Sequence, residues 1–217
     1  MRALAALRVL PIAALLLAPL PGAAAEWELI DDLEGVRVWS REIADSPLVA
    51  FRGEGVVDVH VARLIGVMVD PARAPSWVQL LTESTWLRQI ADNEVILYTR
   101  YDSPWPLQDR DYVLHRRIEV DPEARTVTSR LRSIEDPAMP VQECCIRGIA
   151  ERTEWRFTDL GGGRTRVQVE VVTDPRGSIP SSLVRLFQSS WPRRSILSLA
   201  AEARQGDVRP WPPLAGW

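Results

Sequence analysis

The chain has 217 residues, with 26 basic and 29 acidic side chains, a formal net charge of −3 and 46% hydrophobic residues. That is enough for one domain with a real core, and the charge balance gives no electrostatic reason to expect nucleic acid. Every basic residue is arginine and none is lysine, and the only cysteines are the adjacent Cys144 and Cys145. A disulfide between neighbours closes a small ring and cannot staple a fold. The expectation is two packed thiols in a strand, with a labile vicinal pair as the alternative.

Residues 1–25 are set aside first. Arg2 and Arg8 give a positive start, Val9 to Leu20 is nearly all apolar, and Ala23-Ala24-Ala25 offers a small-residue cleavage site. This predicts a secretory signal peptide, because the apolar run is too short and too proline-broken for a good membrane span. The expected destination is the periplasm or the exterior. The expected organisation is a domain over 26–205 and a loosely held, proline-rich tail over 206–217.

Trp27 to Leu33 reads as a short entry helix or coil. Val36 to Arg41 alternates apolar and polar side chains, as a half-buried strand does, and Val49 to Val59 reads as a second strand. Gly53 and Gly55 within it suggest a bulge or a close approach to the backbone. From His60 the period changes: Val61, Leu64, Ile65, Met68 and Val69 share one helical face, which Asp70-Pro71 ends.

The centre reads as six strands, over 83–90, 94–101, 111–120, 125–134, 144–158 and 164–173. Short turn-forming connections between them imply antiparallel meanders. Gly161-Gly162-Gly163 joins two strands and has no following Lys-Ser or Lys-Thr, so it is a hairpin turn and not a phosphate loop. After Asp174-Pro175-Arg176-Gly177-Ser178-Ile179-Pro180 comes a long helix over about 181–204. Ser178 is placed to cap it and Pro180 suits its first turn. Leu183, Leu186, Phe187 and Trp191 form an apolar stripe, continued by Ile196, Leu199, Ala200 and Ala203 beyond Pro192, which should kink the helix. Two strands, a helix, six antiparallel strands and a long helix make an α+β arrangement that can leave a cavity between helix and sheet.

One stretch concentrates charge beside proline: Pro104-Trp105-Pro106-Leu107-Gln108-Asp109-Arg110-Asp111-Tyr112. The prolines cannot sit inside a sheet, so this is a corner opening onto a strand. Arg110 and Asp111 are expected to lock it as an ion pair. His60 and His115 have no Cys or acid cluster at metal spacing, so no metal is expected. No Gly-x-Ser-x-Gly turn supplies a nucleophile. Trp77, Trp86, Trp105, Trp155 and Trp191 are candidate cavity or core aromatics.

The Pro-hydrophobic-x-x-Arg-Asp-aromatic pattern of residues 106–112, the Asp-Pro-x-Gly-x-Ile-Pro pattern of 174–180 and the long final helix resemble the START domain. That domain is the lipid-transfer module related to the steroidogenic acute regulatory protein, within the helix-grip superfamily. The similarity spans about 27–205, and Gly35-Val36-x-Val38-Trp39 fits it. It implies a helix-grip fold, with a curved antiparallel β-sheet wrapped around the C-terminal helix and an internal hydrophobic cavity for one apolar molecule. By position, Arg116 matches an inward arginine that some sterol-binding members pair with an acid on the preceding strand. Here that strand offers Tyr98, Arg100 and Tyr101 but no acid in the matching stretch, so a lipid phosphate, a carboxylate, Asp109 or Asp111 is the alternative partner. The implied ligand contacts are Arg116, Tyr98, Arg100, Tyr112, Leu114, Trp105, Leu183, Phe187 and Trp191, with no cofactor and transient membrane contact. A polyketide cyclase- or aromatase-like enzyme using Tyr98, Arg100, His115 and Arg116 is the second reading, and a secreted ligand sensor is the third.

Overall fold

A computed structural model describes residues 26–214, 216 and 217, apart from the side chains of residues 181–183 and 186. The signal peptide expected over 1–25 and the contact expected of Leu183 therefore lie outside the described residues. Ten strands form one sheet: β1 (Glu28–Leu33), β2 (Val36–Glu42), β3 (Val49–Val57), β4 (Leu81–Ala91), β5 (Glu94–Tyr101), β6 (Asp109–Asp121), β7 (Thr126–Ser133), β8 (Cys145–Arg147), β9 (Ile149–Gly161) and β10 (Arg164–Asp174). The order is β1-β2-β3-β10-β9-β7-β6-β5-β4, antiparallel throughout, with β8 added in parallel beside the start of β6. Helix α1 (Val61–Val69), the single turn α2 (Ala74–Trp77) and the long α3 (Ser181–Ala203) complete the domain.

Period-two alternation gives the sheet one apolar face. Val36 and Val38 of β2, Val167 and Val169 of β10, and Trp155 and Phe157 of β9 are all buried there, against Ile196, Leu199, Ala200 and Ala203 of α3. The sheet curves around this helix and stays open, as the helix-grip arrangement requires. His60 caps α1 by accepting the Ala62 N–H on Nδ1 at 3.2 Å. Gly53 is where the helix comes closest: a Cβ there would lie 2.6 Å from Cβ of Pro192, so the expected close approach is α3 itself. The hairpin at 161–163 has three consecutive glycines at positive φ (75°, 62° and 74°), which explains the run.

Several expectations are corrected. Residues 28–33 form a strand, because β2 offers them a free edge to pair with. The stretch 144–158 is broken at Gly148, where a Cβ would fall 2.5 Å from Cζ of the Tyr112 ring. Pro180, not Ser178, stands at the N-cap of α3, and no side chain caps it. Cys144 and Cys145 are joined as a vicinal disulfide. The tail is anchored: Leu214 is fully buried, Val208 is buried, and Trp211 N–H donates to Ala62 O at 2.8 Å.

Candidate functional site

Between the concave face of the sheet and the helices lies a cavity of about 310 Å³. The β5–β6 register decides which side chains reach it. Leu97 faces Leu114, Thr99 faces Tyr112, and Val95 faces Arg116. Leu97, Thr99, Tyr101, Tyr112, Leu114 and Arg116 all point inward. The alternate residues Ile96, Tyr98 and Val113 form a small cluster on the other side of the sheet with Leu87, Ile134 and Met139. Tyr98 and Arg100 therefore do not line the cavity, and Tyr101, one pleat away, does.

Arg116 is the chemical centre of this cavity. It is 6% exposed, and its Nη1 donates to the Met68 carbonyl at 2.8 Å. No carboxylate reaches it among the described residues; neither Asp109 nor Asp111 is a partner. Burial alone pulls its pKa down to about 10. A buried guanidinium with one backbone acceptor keeps four N–H donors for something else. Around it the wall is apolar and aromatic. Trp155 stands 6.1 Å from Trp77 and 5.9 Å from Trp191, both edge-on, and all three line the space. Trp86 instead lies on the edge strand, its ring 6.0 Å from the Arg116 guanidinium carbon. Tyr101 and Tyr112 meet edge-to-face at 5.6 Å. Burial pushes the Tyr101 hydroxyl up to about 12 and Tyr112 higher still, so both remain protonated at neutral pH.

The cavity opens between the corner after β5, the 175–179 segment and the first half of α3, where Val184, Phe187, Gln188 and Trp191 line it. Phe187 and Trp191 thus stand where the apolar stripe predicted them. Trp105 does not: it is 94% exposed and lines nothing. Prolines 104 and 106 turn its loop outward, leaving Leu107 to face the cavity. Around the mouth Leu80 and Phe187 are also exposed.

The corner is locked, but by other partners than expected. Asp111 is fully buried and receives Arg147 at 2.9 and 3.0 Å, not Arg110. Arg110 spans the mouth instead, donating to the carbonyls of Gln108, Pro175 and Arg176. Arg147 reaches Asp111 because β8 pairs Arg147 with Asp111 and Cys145 with Asp109. His115 lies on the outer face with Glu94, 2.5 Å away.

The START domain profile matches residues 15–191. The chain belongs to the START domain family. A Pseudomonas aeruginosa protein of unknown function is 30% identical over 183 residues, covering 84% of this chain and 89% of that protein. The phosphatidylcholine transfer protein of Bos taurus is 27% identical over 163 residues, 74% of this chain and 76% of that one. The crystal structure of a STAR-related lipid transfer protein from Xanthomonas axonopodis superposes with a TM-score of 0.73 at 27% identity, covering 82% of this chain and 99% of that one. Within this START domain, Arg110, Asp111 and Arg116 share one strand but have separate roles: mouth, corner and cavity.

Proposed function

We propose that this START domain binds one amphiphilic lipid in its cavity, with an anionic head group on Arg116, and carries it to or from a membrane. The observation that carries the reading is Arg116, buried in a largely apolar cavity with no carboxylate bonded to it among the described residues. An uncompensated buried charge costs several kcal/mol, and a bound anion offsets that cost. The lipid-transfer names of relatives support the class of ligand. A volume of about 310 Å³ is at the low end for ligand pockets, and it suits a single-chain amphiphile without rearrangement.

Release requires opening, and α3 carries contacts on both sides of Pro192. Beyond Pro192, Arg193 donates to Asp31 at 2.8 Å, Glu202 meets Arg73 at 2.5 Å, and the Ala203 carbonyl takes Arg63 at 2.8 Å. Before Pro192, an Arg185–Glu42 pair, a Gln188 bond to the Thr173 carbonyl and the packing of Trp191 on Trp155 are among its contacts. We assign the opening motion to the first half of α3, because that half lines the cavity mouth. The rim of Trp105, Leu80 and Phe187 is the surface we assign to membrane contact.

Carriage without chemistry is favoured because the acid–base set of the enzyme reading is split. Only Arg116 of that set faces the cavity, while His115 pairs with Glu94 outside. Export remains part of the proposal, supported by the N-terminal pattern and by the vicinal disulfide, which persists in oxidising compartments. Native mass spectrometry of purified protein tests the whole. One co-purifying anionic lipid is expected, lost in Arg116→Met, and transfer between vesicles should follow occupancy. Protein that neither retains nor moves any lipid overturns the reading.

A further inference from the structure

The outward face of the sheet carries a charge pattern that the cavity does not use. Four glutamates there hold eight arginines. Glu170 receives Arg41, Arg52 and Arg152. Glu54 receives Arg37 and Arg166. Glu154 and Glu119 share Arg130, with Arg156 on the first and Arg117 on the second. Cross-strand register places these side chains together on the face away from α3: Arg37 stands opposite Glu54, Arg52 opposite Glu170, and Arg130 opposite Glu154.

The two signs do not lie at the same depth. The glutamates at 54, 154 and 170 are 11–25% exposed, whereas the eight arginines are 33–57% exposed. Over β2, β3, β10 and β9 the outermost layer is therefore guanidinium over recessed carboxylate, whereas Glu119 on β6 is as exposed as its arginines. Eight guanidinium groups bring about forty N–H donors against about sixteen acceptor sites on four carboxylates, so most donors face water. The eight arginines and four glutamates of this array sum to +4 in a chain of net charge −3. Isolated exposed ion pairs contribute roughly 0–1 kcal/mol each, so pairing the four glutamates does not by itself call for eight arginines.

We propose that this face docks on an anionic lipid bilayer, separately from the cavity mouth. The array crosses β2, β3, β10, β9, β7 and β6, five inter-strand spacings or roughly 24 Å, without a cleft for a single molecule. Many guanidinium forks spread over a surface match many phosphates spread over a surface. The inference rests on charge arrangement and stands whether or not the cavity binds lipid.

Sedimentation of the full chain with vesicles of phosphatidylcholine alone, or with about a third phosphatidylglycerol, tests this directly. At about fivefold per arginine, Arg37→Gln/Arg156→Gln/Arg166→Gln should bind the anionic vesicles roughly a hundredfold more weakly than wild type. Its thermal midpoint should hold within a few degrees, and added salt should erase the difference. If the triple variant melts early, Arg37→Gln/Arg166→Gln serves instead, with a loss of about twenty-fivefold. Trp105→Ala should keep the salt-dependent part of binding. Equal binding of wild type and variant to anionic vesicles overturns the proposal, as does wild type that ignores phosphatidylglycerol. Binding to poly-L-glutamate without binding to anionic vesicles also overturns it, and would reassign the face to an acidic protein.

Discussion

Replacing Arg116 with methionine separates a ligand anchor from a structural arginine, because the two roles predict opposite signs. Burial lowers the guanidinium pKa from its ordinary value to about 10. At about 1.4 kcal/mol per pKa unit, holding the ion in the empty cavity costs roughly 3 kcal/mol. Methionine removes that cost and also removes the hydrogen bond to the Met68 carbonyl, a loss of about 1.5–3 kcal/mol for a charged donor. The lipid-free variant should therefore be as stable as wild type, or more stable by about 1 kcal/mol, a thermal shift of roughly 2–4 °C at this size. Anionic ligand affinity should fall by about 2–5 kcal/mol, roughly thirtyfold to several thousandfold. The sign with pH follows from linkage. The folded arginine loses its proton before the unfolded one does, so the cost is fully present below about pH 10 and relaxes above it. Calorimetry of delipidated protein at pH 7 and pH 10.5, with ligand titration at pH 7, checks all three. A variant that melts many degrees early and still binds anionic lipid refutes the reasoning.

Asp111→Ala leaves Arg147 half-buried without its carboxylate and should cost about 3–5 kcal/mol, read as a lower thermal midpoint with ligand selectivity unchanged. Gly53→Ala drives a methyl group into Pro192 and should cost about 1–3 kcal/mol; chemical denaturation measures it, and no effect would mean that α3 shifts freely. Leu214→Ala in the anchored tail should cost about 2–5 kcal/mol, whereas a loosely held tail would make the change silent.

The sequence carried the strand alternation, the long last helix, the Gly53 approach and the glycine hairpin, because each is a local pattern with one physical solution. The β5–β6 segments were equally legible as strands, yet their facing was not. A one-residue change of register exchanges Tyr98 for Thr99 and Arg100 for Tyr101, and register is set by cross-strand partners on another strand. The same holds for Asp111. Its partner arrives on β8, a three-residue parallel strand after an irregular loop, and no periodicity announces it. Trp105 was misplaced for a different reason, since an aromatic between two prolines reads as a packing residue until the loop's direction is known.

These failures share a cause that bears on function. Helices and strands follow short-range rules, whereas the cavity and the outer face are products of pairing between strands that are distant in the chain. The Arg116 side chain faces the cavity only because register places it inward, opposite Val95, and the arginines at 37, 52 and 130 form an array only because register places them outward. The same alternation thus sorts one residue type into two roles. A guanidinium buried alone among apolar side chains must find an anion, while guanidinium groups layered over carboxylates in water remain free to meet a charged surface. What distinguishes the two is depth and company, and both are set by the sheet.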